Sequence, residues 1–183
     1  MRFGPIEKQD KIGRTVVLRN AEVTDAKALL DYMRITTAET PYLIREPEEV
    51  TMTMVQEEAF LKSKIEAERE LLMVAEIDGR HIGSSSLMQI MPYKRYAHRC
   101  SLAIALYLEF CGTGIGELMM QELLEVAKQA GYEQAELEVI TGNDRAIALY
   151  EKLGFERHGH LPRNMKYKDG SYVDAEWMMK DLR

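Results

Sequence analysis

Cysteine is scarce: the 183 residues hold two, Cys100 and Cys111, with no C-x-x-C pair and no Cys/His cluster. That spacing removes a zinc site, and no metal is expected. No apolar run approaches the ~18 residues that a membrane span needs, and the opening MRFGPIEKQDKIGRT lacks the apolar core of a signal peptide. A cytoplasmic protein with no membrane partner is the default expectation. Positive charge is in deficit, with 24 Lys+Arg against 30 Asp+Glu and a net charge of −6. An acidic chain is a poor partner for nucleic acid and tolerates a cationic substrate, although ordinary solubility charge accounts for it equally. Repeats, linkers and low-complexity segments are also missing. The length fits one domain with a core that needs no staples. Residues 1–13, polar and carrying Gly4-Pro5 and Gly13, read as an N-terminal arm, and 14–183 as a single domain.

What is present alternates between the two periods of regular structure. RTVVLRNAE (14–22) is a β-branched strand. Thr24 or Asp25 caps a helix to about Glu39, stopped by Pro41. Pro47 suits a first helical turn, which predicts an acidic helix from there to about Arg69. Asp78-Gly79 between apolar runs marks a hairpin of strands near 71–77 and 80–90. A third strand, 96–108, sets Leu102, Ile104, Leu106 and Leu108 on a bulky, core-like face and Ala103, Ala105 and Tyr107 on a face where something can lie close. A helix follows with Ile115, Leu118, Met119, Leu123, Val126, Ala127 and Ala130 in register, ended by Gly131. AELEVI is a strand with Glu136 and Glu138 opposite Leu137 and Val139. A helix opens at Asn143 or Asp144, and two strands flank Asp169-Gly170. This order predicts an α/β (α+β) sheet layered with helices.

Between the third strand and its helix stands CGTGIGELMM, with Gly112, Gly114 and Gly116 at alternate positions. Glycines so dense cost backbone entropy. A P-loop needs GxxxxGK[ST], and here Glu117 stands where a lysine would help. A dinucleotide fingerprint needs GxGxxG early in a βαβ unit, and this GxGxG comes late, after an antiparallel hairpin. A purely structural turn remains open beside a diphosphate turn of another kind, in which the backbone N–H groups of 112–117 face an anion and the helix terminus adds roughly half a positive charge.

The stretch from LAIALYLEFCGTGIG to NDRAIALYEKLGF, about residues 102–156, resembles the core of the GNAT (GCN5-related) N-acetyltransferase superfamily. Its acetyl-CoA loop, Q/R-x-x-G-x-G/A, corresponds to Cys111-Gly112-Thr113-Gly114-Ile115-Gly116. Its Asn followed by A-x-x-L-Y-x-x-x-G-F corresponds to Asn143 and AIALYEKLGF. The resemblance implies a mixed, mostly antiparallel sheet of about seven strands with about four helices. It implies acetyl-CoA as cosubstrate, and direct attack by a primary amine, of a small molecule or a protein N-terminus, in a ternary complex. Departing from the pattern, Cys111 stands where the family has Gln or Arg, which removes one polar contact at the phosphates. A thiol beside a helix N-terminus is expected to lean toward thiolate.

By the same resemblance, the cofactor is held by the loop from Gly112 to Glu117, by the backbone of Ile104, Ala105 and Leu106, which pairs with pantetheine like a missing strand, and by Asn143. Core packing for Ile104 and Leu106 and helix capping for Asn143 are the plainer roles. Tyr150, two turns beyond Asn143 on one helix face, matches the general acid. Glu138, in a Leu-Glu-Val sequence like that of the ribosomal-protein alanine acetyltransferases, matches a base, with partial burial expected to raise its pKa. His98 and a water relay are the alternatives, and Ser101 occupies the position where other relatives carry a Glu. Residues 36–69 and the final hairpin, with Tyr167, Tyr172, Asp174 and Glu176, border the acceptor by analogy. A non-catalytic acyl-CoA sensor and a homodimer stay open.

Overall fold

The computed structural model describes residues Met1–Arg183. Eight strands form one sheet: β1 (Ile6–Gln9), β2 (Thr15–Asn20), β3 (Leu71–Ile77), β4 (Arg80–Gln89), β5 (Arg99–Leu106), β6 (Gln134–Ile140), β7 (Glu156–Lys166) and β8 (Tyr172–Asp181). Their spatial order is β1-β2-β3-β4-β5-β6-β8-β7. The helices are α1 (Ala26–Glu39), α2 (Met54–Glu66), α3 (Ile115–Gln129) and α4 (Asp144–Lys152). The expected mixed sheet is there with one strand more than seven. The addition is β1, inside the segment read as an arm: Ile6–Gln9 pair antiparallel with Thr15–Leu18. Four residues of alternating half-burial are too short to stand out as a periodic strand in the sequence.

Local chemistry explains most element ends. Asp78 and Gly79 take φ of 51° and 74°, the doubly positive turn that joins β3 to β4. The first helix begins at Ala26 directly after Asp25, one of the two expected caps, and Glu22 and Asp25 close a capping box around the 3-10 turn before it, Val23–Asp25. The second is interrupted. Pro47 opens only a 3-10 turn, Pro47–Glu49, and α2 starts at Met54 after Thr53 and Gln56 cap each other. α3 is fixed by Ile115, Met119, Met120, Leu123 and Ala127, all fully buried, each large side chain contributing about 1.5–3 kcal/mol. No helix is long and apolar enough to cross a membrane.

Residues opposite one another in a sheet share a face. Cys100 pairs with Ala135, so Leu102, Ile104 and Leu106 share a face with Leu137 and Val139, while Ala103 and Ala105 share the other with Glu136 and Glu138. On the first face Lys8 of β1 pairs with Glu122 of α3, and Lys180, opposite Ala135, lies under Gly154 at the end of α4. On the second, Arg19 of β2 holds Asp25 ahead of α1. Helices α3 and α4 therefore cover one side, α1 and α2 the other.

The only parallel pair, β5 and β6, positions the site. It runs from Arg99↔Gln134 to Ser101↔Glu136 and stops, although β5 continues to Leu106 and β6 to Ile140. β6 keeps all seven residues paired with β8, so the two strands part and leave a wedge about 16 Å long at ~3.3 Å per residue.

Candidate active site

At the mouth of the wedge lies the glycine turn. Gly112 and Gly114 have φ of 82° and 91°, backbone that other residues resist. None of the N–H groups of residues 112–116 donates to a protein acceptor; the first helical bonds come from Glu117 and Leu118 to the Gly114 carbonyl, at 3.1 and 3.2 Å. Five successive free donors at a helix N-terminus fit an anion. The side chains stand aside. Thr113 turns its hydroxyl to the Phe110 carbonyl (2.7 Å), Ile115 is buried in the core, and Glu117 is ion-paired with Lys152 of α4 at 2.5 Å. Cys111 places Sγ 3.7 Å from the Tyr107 carbonyl, and burial pushes its thiol above the usual range. The expected lean toward thiolate is thus overturned: desolvation outweighs the helix terminus.

Backbone phase decides which groups of β5 face the wedge. The Tyr107 N–H donates to Ile82 (3.1 Å), continuing the register in which Ala105 faces Ser84. Alternate residues of an antiparallel ladder turn both backbone groups to the partner. Ala103, Ala105 and Tyr107 therefore face β4, and Ile104 and Leu106 turn N–H and C=O toward the space β6 has left. Of the three positions expected to pair with pantetheine, Ala105 has the wrong phase. Its carbonyl also accepts the hydroxyl of Tyr32 at 2.7 Å, from α1.

α4, which carries Asn143 and Tyr150, packs on the α3/α4 side, where Leu149 meets Leu106 and Ile104 around Gly116. Asn143 caps the helix, its Oδ1 accepting from Ala146 at 3.4 Å, which leaves the amide nitrogen unengaged. Tyr150 is 7% exposed and edge-on to Phe155 at 5.9 Å. Its hydroxyl makes no hydrogen bond within the protein, and burial alone pushes its pKa up to about 12.

Glu138 is exposed on the α1/α2 side, so the expected burial is absent. Its neighbour two residues back is the buried one. Glu136, 4% exposed, receives Arg99 through both oxygens, Gln134 at 2.7 Å and Trp177 at 3.1 Å. His98 lies at the far end of β5, exposed, with its carbonyl bonded to Glu133 and Gln134. Eight residues separate it from Leu106, about 26 Å of strand, too far for a base. Asp174 and Glu176 turn to His160, each 3.1 Å from a ring nitrogen. Glu176 stands opposite Val139, on the α3/α4 side and away from Glu138.

The segment between α1 and α2 closes over the other side. Tyr42 donates to the Gly142 carbonyl (2.9 Å), Tyr167 to that of Pro41 (3.2 Å), and Lys168 pairs with Glu48 (2.5 Å). A cleft of about 700 Å³ lies between this segment and the β7–β8 hairpin, lined by Glu39, Arg45, Glu49 and Lys166 among others. Sequence reasoning missed Tyr32, Tyr42 and the Arg99–Glu136–Trp177 cluster. Only the alternation of AELEVI hinted at the last, by setting two carboxylates on one face.

A sheet that opens beside a helix N-terminus with five free amides fits an acyl-CoA-dependent transferase. The sequence profile of the Acetyltransferase (GNAT) family matches residues 31–155, and the chain belongs to that family. It is an N-acetyltransferase, moving an acetyl group from acetyl-CoA to an amine. It is 22% identical over 165 residues to an L-methionine sulfoximine/L-methionine sulfone acetyltransferase of Pseudomonas aeruginosa, covering 90% of this chain and 94% of that one. It is 28% identical over 157 residues to an N-alpha-acetyltransferase of Sulfurisphaera tokodaii, covering 80% and 83%. A GNAT-family acetyltransferase structure from Streptococcus pneumoniae superposes with a TM-score of 0.86 at 26% identity, covering 91% and 99%.

Proposed function

We propose that this chain acetylates an α-amino group, of a free amino acid or a peptide N-terminus, by direct attack of the amine in a ternary complex. The observation that carries the reading is the division of the wedge: Glu138 stands on the α1/α2 side, α4, which carries Tyr150, packs on the α3/α4 side, and the outward groups of Ile104 and Leu106 lie between. An amine arriving by one side and a thiol leaving by the other is the geometry of a displacement.

Acetyl-CoA supplies an activated acyl carbonyl and a thiol leaving group. The free amides from Gly112 through Thr113, Gly114 and Ile115 to Gly116 cradle its diphosphate, with the Glu117 carboxylate neutralised by Lys152. Ile104 and Leu106 pair with the pantetheine amides in place of β6, and the Asn143 amide nitrogen adds a donor. The Leu106 N–H meets the carbonyl oxygen as charge builds there. Glu138 attracts the ammonium and accepts its proton. Tyr150 donates toward sulfur. A pKa of about 12 keeps the phenol protonated at any working pH, so it remains a donor until charge on sulfur draws the proton over. The α-amine class is supported by relatives whose names share that group.

The test is a panel of amines with thiol release as readout. Amino acids and short peptides should react ahead of polyamines and lysine side chains, with intersecting initial-rate lines. Turnover confined to side-chain amines would remove the acceptor class, and parallel lines would remove direct attack.

A further inference from the structure

The glycine turn offers no cation of its own. Thr113 and Cys111 point their polar atoms at backbone carbonyls, and the one charge in the first turn of α3, Glu117, is negative and already paired. A diphosphate brings two negative charges to five amides. The missing charge comes from the opposite end of the sequence. The turn between β1 and β2 docks on the glycine turn: the Lys11 N–H donates to the Thr113 carbonyl at 2.9 Å, and the Arg14 guanidinium sits 5.2 Å from the centre of the Phe110 ring. The Lys11 side chain runs across Gly114. A Cβ built on Gly114 would stand 2.8 Å from Lys11 Cγ and 3.2 Å from Cδ and Cε. Gly114 is therefore glycine for two reasons, its positive φ and the lysine stem that occupies the space of its side chain.

The ammonium at the end of that stem has no carboxylate partner, although lysines and arginines form 15 ion pairs elsewhere. The turn that carries it is held firmly. Asp10, 7% exposed, accepts the N–H groups of Ile12 and Arg14 at 3.0 and 2.9 Å and the Arg14 side chain at 2.8 Å. β1 is tied to α3 by Lys8 and Glu122, 2.7 Å apart.

We propose that Lys11 is a cofactor-binding residue whose ammonium neutralises the CoA diphosphate over Gly114, which makes the β1–β2 turn a wall of the cofactor site. The proposal rests on the reading of Gly112–Gly116 as the cradle. The central position of Gly114 among the free amides assigns Lys11 to the diphosphate and not to the 3′-phosphate. Calorimetric titration with CoA and with dephospho-CoA, which lacks the 3′-phosphate, tests it on the wild type, Lys11→Met and Lys11→Arg. Methionine keeps an apolar stem over Gly114, and a thermal melt verifies that the fold is intact. Lys11→Met should weaken both ligands alike, by about five- to twentyfold, flatten the salt dependence of binding, and raise KM for acetyl-CoA with kcat unchanged. Lys11→Arg should bind within about twofold of the wild type. Unchanged affinity in Lys11→Met, or a loss that disappears with dephospho-CoA, overturns the assignment. A wild type that does not bind CoA at all overturns the cradle reading instead.

Discussion

At its closed end the β5–β6 pair joins Arg99–Ser101 to Gln134–Glu136, and the buried carboxylate is fully partnered: Glu136 is held by Arg99, Gln134 and Trp177. A few residues on, the same two strands have parted. There Ile104 and Leu106 turn their backbone groups away from β4 and Glu138 is exposed, while on α4 the Tyr150 hydroxyl has no protein partner. Two glutamates on one face of one strand, two residues apart, have opposite circumstances. The paired end can be rigid because nothing has to enter it. The open end leaves donors and acceptors that, on the proposed reading, the cosubstrate would fill.

The largest expected effect breaks the closed end. Glu136→Ala leaves the Arg99 guanidinium, only 21% exposed, without its counter-charge. Breaking such a buried pair costs about 3–5 kcal/mol, or a fall in Tm of roughly 6–20 °C for a chain of this size. Glu138→Ala, on an exposed position, should stay within about 0.5 kcal/mol. Equal melting temperatures for the two variants would erase the contrast.

Next comes Tyr150→Phe, which empties one donor at the open end. It should lower kcat by about ten- to a hundredfold with little change in acetyl-CoA affinity. The sign of the pH effect follows from the raised pKa. A phenol shifted up to about 12 by burial is protonated throughout pH 6–10, so the variant should scale the profile down over that range without changing its shape. An alkaline fall below pH 10 that disappears with Tyr150 would mean that the phenol ionises earlier than its burial allows.

Glu138→Gln probes the other side of the wedge, with a smaller effect because a solvated carboxylate has modest leverage. A loss in kcat/KM of about three- to tenfold near pH 6.5 is expected, where an α-amine of pKa near 7.7–8.0 arrives protonated. The loss should shrink by pH 9, where free amine needs no base. A pH-independent deficit would move the proton to a water chain, since His98 lies at the wrong end of β5.

The contrast between the two ends also marks what could be read from the residues alone. The glycine turn, the helix behind it, the Asp78-Gly79 hairpin and the Asn143–Tyr150 helix are local patterns, and each formed where its pattern predicts. The wedge itself is not local. AELEVI states that Glu136 and Glu138 share a face, but not that Arg99, thirty-odd residues earlier, meets the first and leaves the second free. Nor can alternation along β5 reveal that Ala105 turns its backbone to β4, since that depends on register with another strand. β1 escaped notice because the contacts that make IEKQ a strand come from Thr15–Leu18 and from α3, and not from its own period.

The smallest predicted effect lies where the open end meets the glycine turn. Gly116 has an ordinary helical conformation, absent from the positive-φ glycines. A Cβ there would meet Leu149 at 3.5 Å, Leu106 at 3.7 Å and Ile104 at 3.8 Å, all normal contact distances. Gly116→Ala should therefore fold without strain and gain about 0.5–1 kcal/mol from the helix preference of alanine, raising Tm by a few degrees. The added methyl faces apolar side chains and leaves the amide free, so CoA affinity should stay within about threefold. Gly114→Ala is the paired control: it forces a side chain onto φ of 91° and into the stem of Lys11, and should lose both stability and CoA binding. If the two alanine variants bind CoA equally well, the cradle depends on neither the left-handed turn nor the lysine laid across it.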